Sequence, residues 1–263
     1  MRPDRPRILV CCSALALVAS CGRKAGPTAI DPTLAACVPP EAVAVAGIHL
    51  DEVRGSPVFT RLLDRLPGAD TLAGAASVLF AYDGRDLVLA ARGTFSSPPA
   101  GFTAVAPGIF AAGPDAWLRG ARDRERTRQT AEPALLAHAG AVAAAYPVWA
   151  AFLGGRTLPL SGNAANLNRL LRGASYATFG ARFTNGLELR AAATCPSEAT
   201  AAQLEESVRA MLTLARAGTR ANAGHEFPFD AIRLSSRNRV VNLEVALAGP
   251  AADRLVDALL PPR

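Results

Sequence analysis

The chain of 263 residues carries a formal net charge of +6, is 50% hydrophobic and only 19% charged, a composition that excludes an intrinsically disordered chain and a polytopic membrane protein. Its 28 basic residues are 27 arginines and a single lysine, Lys24. Chemistry that needs a lysine ammonium beyond that point is therefore excluded: a Walker A phosphate loop, a Schiff base, or a Ser-x-x-Lys acylation site.

Arg2, Arg5 and Arg7 precede an apolar run from Ile8 to Ala19, which is too short to span a bilayer and reads as the core of a signal peptide over residues 1–20. The run ends in Leu17-Val18-Ala19-Ser20-Cys21. This resembles the lipobox of bacterial lipoproteins, with an aliphatic residue three before the cysteine and small residues next to it. The resemblance implies cleavage before Cys21, a diacylglycerol on its thiol and acylation of the new amino terminus. Each buried methylene adds about 0.8 kcal/mol, so two or three acyl chains make a lasting anchor where one does not. Gly22 follows, where an Asp would resemble an inner-membrane retention signal; an outer-membrane anchor facing the periplasm is the expectation. Residues 21–40 read as a lipid-anchored tether, rich in Gly, Pro, Ala and Thr and spanning about 25 Å as a flexible coil. Cys11 and Cys12 leave with the signal peptide. Cys37 and Cys195 then remain in an oxidising compartment, either as a disulfide or as two separately buried thiols.

In chain order, Val43 to Leu50 is a short apolar run suited to a buried strand. Ser56 caps a helix with Pro57 at its first position, and Phe59, Leu62, Leu63 and Leu66 follow at helical spacing. Residues 77–82 and 86–92 flank Asp83-Gly84, a two-residue hairpin signal that pairs Phe80 with Leu87 and Val78 with Leu89. A β run at 108–112 leads into a helix at Asp115, Pro133 begins an alanine-rich helix, and 147–153 reads as a strand. Residues 163–172 read as a helix closed by Gly173. In the hairpin over 176–195, a three-residue Thr184-Asn185-Gly186 loop keeps the amphipathic alternation. It pairs Phe183 with Leu187, Ala181 with Leu189 and Phe179 with Ala191, with Gly186 left-handed. A helix from about Ser197 carries Leu204, Val208, Met211, Leu212 and Ala215 on one stripe. The last hairpin turns at Arg237-Asn238 and is followed by a helix from Pro250.

The order strand, helix, hairpin occurs at 43–92 and again at 147–195. The expectation is an α+β fold of two ferredoxin-like halves, 41–130 and 131–263, forming an antiparallel sheet with helices packed on one face.

Sites of chemistry are sparse. His49, His138 and His225 lie on separate elements without a second ligand at metal spacing, and no nucleophile elbow, zinc helix, Cys-x-x-Cys pair or glycine-rich phosphate loop occurs. His225-Glu226 is a loop pair, and Asp51-Glu52 reads as polar loop beside Arg54. Arg119, Arg122, Arg124, Arg126 and Arg128, with Asp123 and Glu125, form one basic segment, either a contact for anionic head groups or a partner, or an internally paired connector. It is not interleaved with aromatics, so nucleic acid is not the expected partner. No cofactor is implied. The leading expectation is a non-enzymatic envelope lipoprotein anchored through Cys21 and acting through protein contacts. The alternatives are a carrier of lipid or another apolar ligand in a groove between sheet and helices, which requires an apolar cavity of several hundred Å³, and a hydrolase-type enzyme without a recognisable motif.

Overall fold

The computed structural model describes residues 30–63, 69–127, 133–158, 168, 170–184, 186–221 and 228–259. The proposed signal peptide, the lipobox with Cys21, Arg128 and the His225-Glu226 pair lie outside them.

Among the described residues ten strands form one antiparallel sheet. The first half contains β1 (Ala44–His49), β2 (Ala75–Tyr82), β3 (Leu87–Gly93), β4 (Thr103–Ala106) and β5 (Ile109–Ala112). The second contains β6 (Val148–Leu153), β7 (Tyr176–Arg182), β8 (Gly186–Thr194), β9 (Ile232–Arg237) and β10 (Val240–Ala248). The strand order is β4-β5-β3-β2-β1-β6-β7-β8-β10-β9. Read outward from the β1·β6 seam, both halves therefore run first, second, third, fifth, fourth, and the seam itself is antiparallel, pairing Ala46 with Ala150 and Gly47 with Trp149. The internal repeat is thus larger than the strand–helix–hairpin unit. Within each half the first three strands pair in chain order and the fifth lies between the third and the fourth, so the ferredoxin-like halves expected from the sequence are not reproduced.

The helices whose bounds are described are α1 (Pro32–Ala36), α2 (Leu50–Val53), α3 (Pro57–Leu63), α4 (Asp115–Thr127), α5 (Pro133–Ala143), α6 (Glu198–Ala221) and α7 (Gly249–Leu259). They do not share one face, contrary to expectation. Leu79 and Val78 are neighbours on β2 and so point to opposite sides. Leu79 packs with Leu34 of α1 and Leu135 and Ala139 of α5, whereas Val78 packs with Leu50 and Val53 of α2 and with Phe59 of α3. Both sides of the central strands are apolar, so each requires a cover. In the second half α6 and α7 lie on the Val78 side, where Leu204 of α6 packs on Val241 and Ala252 of α7 packs with Val245. The opposite side of β8, β10 and β9 carries Glu188, Arg190, Glu244 and Arg233, all exposed.

Local rules account for most element ends. Ser56 accepts a hydrogen bond from the Phe59 N–H (3.4 Å) at the start of α3, as its position before Pro57 implies. The 176–194 hairpin has the expected register, Phe179 opposite Ala191 and Ala181 opposite Leu189. Gly186 has φ 150°, and a Cβ there would run into the Leu247 carbonyl of β10. The first hairpin differs by two residues: Tyr82 pairs with Leu87 and Phe80 with Leu89. Asp83 does not sit at the centre of a two-residue turn. Its carboxylate accepts from the N–H groups of Arg85 (2.7 Å) and Asp86 (2.8 Å), which builds a four-residue loop over 83–86. A shift of two leaves every side chain on its expected face.

Candidate functional site: an apolar groove under α6

On the covered face of β8 the side chains taper: Leu187 and Leu189 are followed by Ala191 and Ala193. Where the strand carries leucines, Val245 and Leu247 of β10 meet Ala252 and Leu255 of α7 and Val58 of α3, and the space is filled. Where it carries alanines, the floor is too shallow to reach α6. Ala177 on β7 continues this shallow floor, and Phe152, Phe179 and Leu243 stand around it. The first half has Val78, Phe80 and Leu89 in comparable places, closed by the fully buried ring of Phe59.

The result is a groove of about 330 Å³ between sheet and helix. Leu204 and Val208 of α6 form its roof, and Leu158, Leu170 and Leu171 its side. Thr178 and Ala192 also border it, but strand alternation directs their side chains to the other face. Every side chain that enters the groove is hydrocarbon.

Three polar devices hold the walls. Asn168 receives the Leu158 N–H (2.8 Å) and donates to the Leu158 carbonyl (2.9 Å), substituting for a strand neighbour. Ser197 accepts from the Thr200 N–H (3.1 Å) at the start of α6. The Ser236 hydroxyl on β9 and the Arg209 guanidinium both bond the Glu205 carboxylate, tying α6 to the sheet edge and holding that carboxyl below its ordinary range. Beyond the groove α6 runs on with Met211 39% and Leu214 73% exposed.

The residues singled out in the sequence do not gather in this groove. Cys37 and Cys195 are not bonded: both are free and buried, Cys37 beside Leu34 and Val38, Cys195 against Leu204 and Val241 on another part of the sheet. Burial pushes the Cys37 thiol up to about 11 and raises that of Cys195 as well. The basic segment is α4, and part of it serves the fold. Arg122 donates twice to the Ala104 carbonyl (2.7 and 3.2 Å), and the half-buried Arg124 donates to the Ala36 carbonyl at the end of α1 (3.4 Å). Arg126 pairs with Asp123 (2.6 Å), and Arg119 is exposed. Asp51 pairs with Arg54 (3.3 Å), and His138 stacks on Tyr176. A second, polar cleft of about 370 Å³ lies on the open face, but Arg190–Glu244 (3.5 Å) and Arg182–Glu188 (3.2 Å) already neutralise one another there.

Among the described residues no group of three or more His, Cys, Asp or Glu is placed to hold a metal ion. Among those residues no helix is long and apolar enough to cross a membrane. The alanine floor escaped the sequence reading, although its signal, the Leu-to-Ala taper on one face of β8, was present.

The fold and groove define a mixed α+β protein with one large antiparallel sheet and an apolar cleft under an added helix. A solved structure, crystal form I of TP0453, is similar in fold: TM-score 0.50 and 10% sequence identity, over 88% of this chain and 97% of that one. No protein-family model and no curated protein matches the chain.

Proposed function

We propose that this protein is a membrane-anchored, non-enzymatic envelope lipoprotein that takes one acyl chain of a lipid into the groove under α6. The observation that carries the reading is the groove itself: about 330 Å³ with no polar side chain inside, within the size range of small-molecule sites. A hydrocarbon lining offers nothing to orient a polar ligand and suits a flexible chain whose head group stays outside. The lipobox supplies the source. The chain packs into the core from α1 onward, so residues 32–40 are not the tether expected from the sequence. A protein anchored at Cys21, about ten residues before α1, works beside a bilayer, where acyl chains are the abundant apolar ligand. The groove favours the carrier over a role resting on protein contacts alone.

The test uses the full chain in lipid nanodiscs with a diazirine-bearing fatty acid. After irradiation, adducts are expected on peptides containing Phe179, Ala191 and Val208, and their loss is expected in Ala191→Phe, which fills the floor. Adducts elsewhere only, or adducts undiminished in Ala191→Phe, would overturn the reading. The anchor is tested separately by mass spectrometry of the N-terminal peptide; an unmodified Cys21 removes the membrane from the argument.

A further inference from the structure

The side wall of the groove is made of two short stretches that the backbone ties together. The Gly155 N–H donates to the Leu171 carbonyl (3.5 Å), and Asn168 bonds both the N–H and the carbonyl of Leu158. Leu158, Leu170 and Leu171 line the groove from this wall. Each stretch also carries an arginine beside a lining leucine: Arg156 stands two residues before Leu158, and Arg172 directly follows Leu171. Both arginines are exposed. The next residue, Gly173, lies against α6, where an added Cβ would stand 3.7 Å from Thr200 Cγ2. Arg172 therefore marks the end of the groove at which its roof begins.

These two cations lack a counter-charge. Elsewhere in the second half Arg182, Arg190, Arg209 and Arg216 each have a carboxylate partner: Glu188, Glu244, Glu205 and Asp230. Among the described residues Arg156 and Arg172 have none. The sequence gives the reason, since no aspartate or glutamate occurs between Glu132 and Glu188. Glu198, exposed in the first turn of α6, pairs with neither. A hydrocarbon groove holds a chain but offers its polar end no partner, so that end stays at the rim. There a guanidinium presents a forked set of N–H donors that matches a carboxylate or phosphate, and a neutral head group gains no charge-assisted bond from it.

We infer that Arg156 and Arg172 form the head-group site of the groove, and that its ligand is an anionic lipid whose acyl chain lies under α6. This inference rests on the acyl-chain reading of the groove.

Photolabelling of the full chain in nanodiscs with a diazirine-bearing alkyl phosphate and the alcohol of the same chain separates the head group from the groove. The half-saturating concentration of each probe is measured on the peptides containing Phe179 and Val208. The ratio of alcohol to phosphate, compared between variants, cancels the different partitioning of the two probes. In Arg156→Gln/Arg172→Gln this ratio is expected to fall about fivefold, the scale of two exposed ion pairs. Unchanged labelling by the alcohol reports that the fold is kept, and each single substitution should shift the ratio in the same direction. Arg85→Gln/Arg119→Gln removes the same charge at exposed positions in the first half and should keep the wild-type ratio. An equal ratio in the wild type and Arg156→Gln/Arg172→Gln, or an equal fall in Arg85→Gln/Arg119→Gln, overturns the head-group site and leaves the groove reading in place. No labelling of these peptides by either probe overturns both.

Discussion

Single side chains in this protein are constrained chiefly by what their neighbours leave open. Gly47 and Gly180 are each covered by an aromatic ring, Trp149 and Tyr146 respectively, which would collide with a Cβ. Gly47→Ala must displace an indole from the central seam, and a loss of about 1–3 kcal/mol is expected in denaturant unfolding, as for other overpacked cores. The cysteines make a second test. A thiol reacts as its thiolate, and burial keeps Cys37 and Cys195 protonated at neutral pH. Neither should react with a thiol reagent in the native chain, both should react after denaturation, and reduction should not change electrophoretic mobility. His49 makes the third. Burial holds its imidazole below the ordinary value, with the Glu52 carboxylate opposing only in part. The unfolded chain therefore takes up a proton near pH 6.5 while the folded chain resists it. The stabilisation is fully present above that pH and is lost as pH falls through it toward the folded value. Thermal melts should decline more steeply with acid in the wild type than in His49→Phe, and equal slopes would contradict the assignment.

At the scale of elements, α4 and α6 show how a charged or amphipathic helix is divided between fold and surface. Arg122 and Arg124 reach back to backbone carbonyls of β4 and α1, so only part of the basic face of α4 is available to a membrane or a partner. Arg124→Ala removes a half-buried donor to the end of α1 and should cost about 1–2 kcal/mol, whereas Arg119→Ala at an exposed position should be neutral within about 0.5 kcal/mol. The division of α6 is longitudinal. Leu204 and Val208 roof the groove, and the rest of the helix extends past it with Met211 and Leu214 in solvent. Ala193→Leu should fill the groove without strain, leaving the melting temperature equal or higher while fatty-acid labelling falls. A lower melting temperature would show that the floor is already packed.

For the whole molecule the seam between β1 and β6 is decisive. The two halves exchange backbone hydrogen bonds along five residue pairs, from Ala44–Phe152 to Ile48–Val148, and α5 packs across β1, β6 and β7. Such a sheet should unfold as one unit. Fluorescence of Trp117 in the first half, read in Trp149→Phe, and of Trp149 in the second, read in Trp117→Phe, should give denaturation midpoints that differ only by the stability cost of each substitution. Resolved transitions within one variant would mean that the halves are independent.

Sequence alone determined what depends on short-range chemistry. Pro57 after Ser56 starts α3, and the alternation Phe179, Ala181 against Leu189, Ala191 sets the register of β7 and β8, because a one-residue slip would turn the apolar side chains to water. The strand–helix–hairpin repeat was legible for the same reason. Tertiary structure decided the rest. The 83–86 loop was lengthened by an aspartate side chain bonding the backbone, which a turn dipeptide does not reveal. Cys37 and Cys195 were separated because distance across the sheet is not encoded in sequence spacing. The groove exists only because a run of alanines lies beneath a helix inserted after β8, where the first half has its floor closed by Phe59. A void is a relation between surfaces far apart in the chain, and no local pattern of residues specifies it.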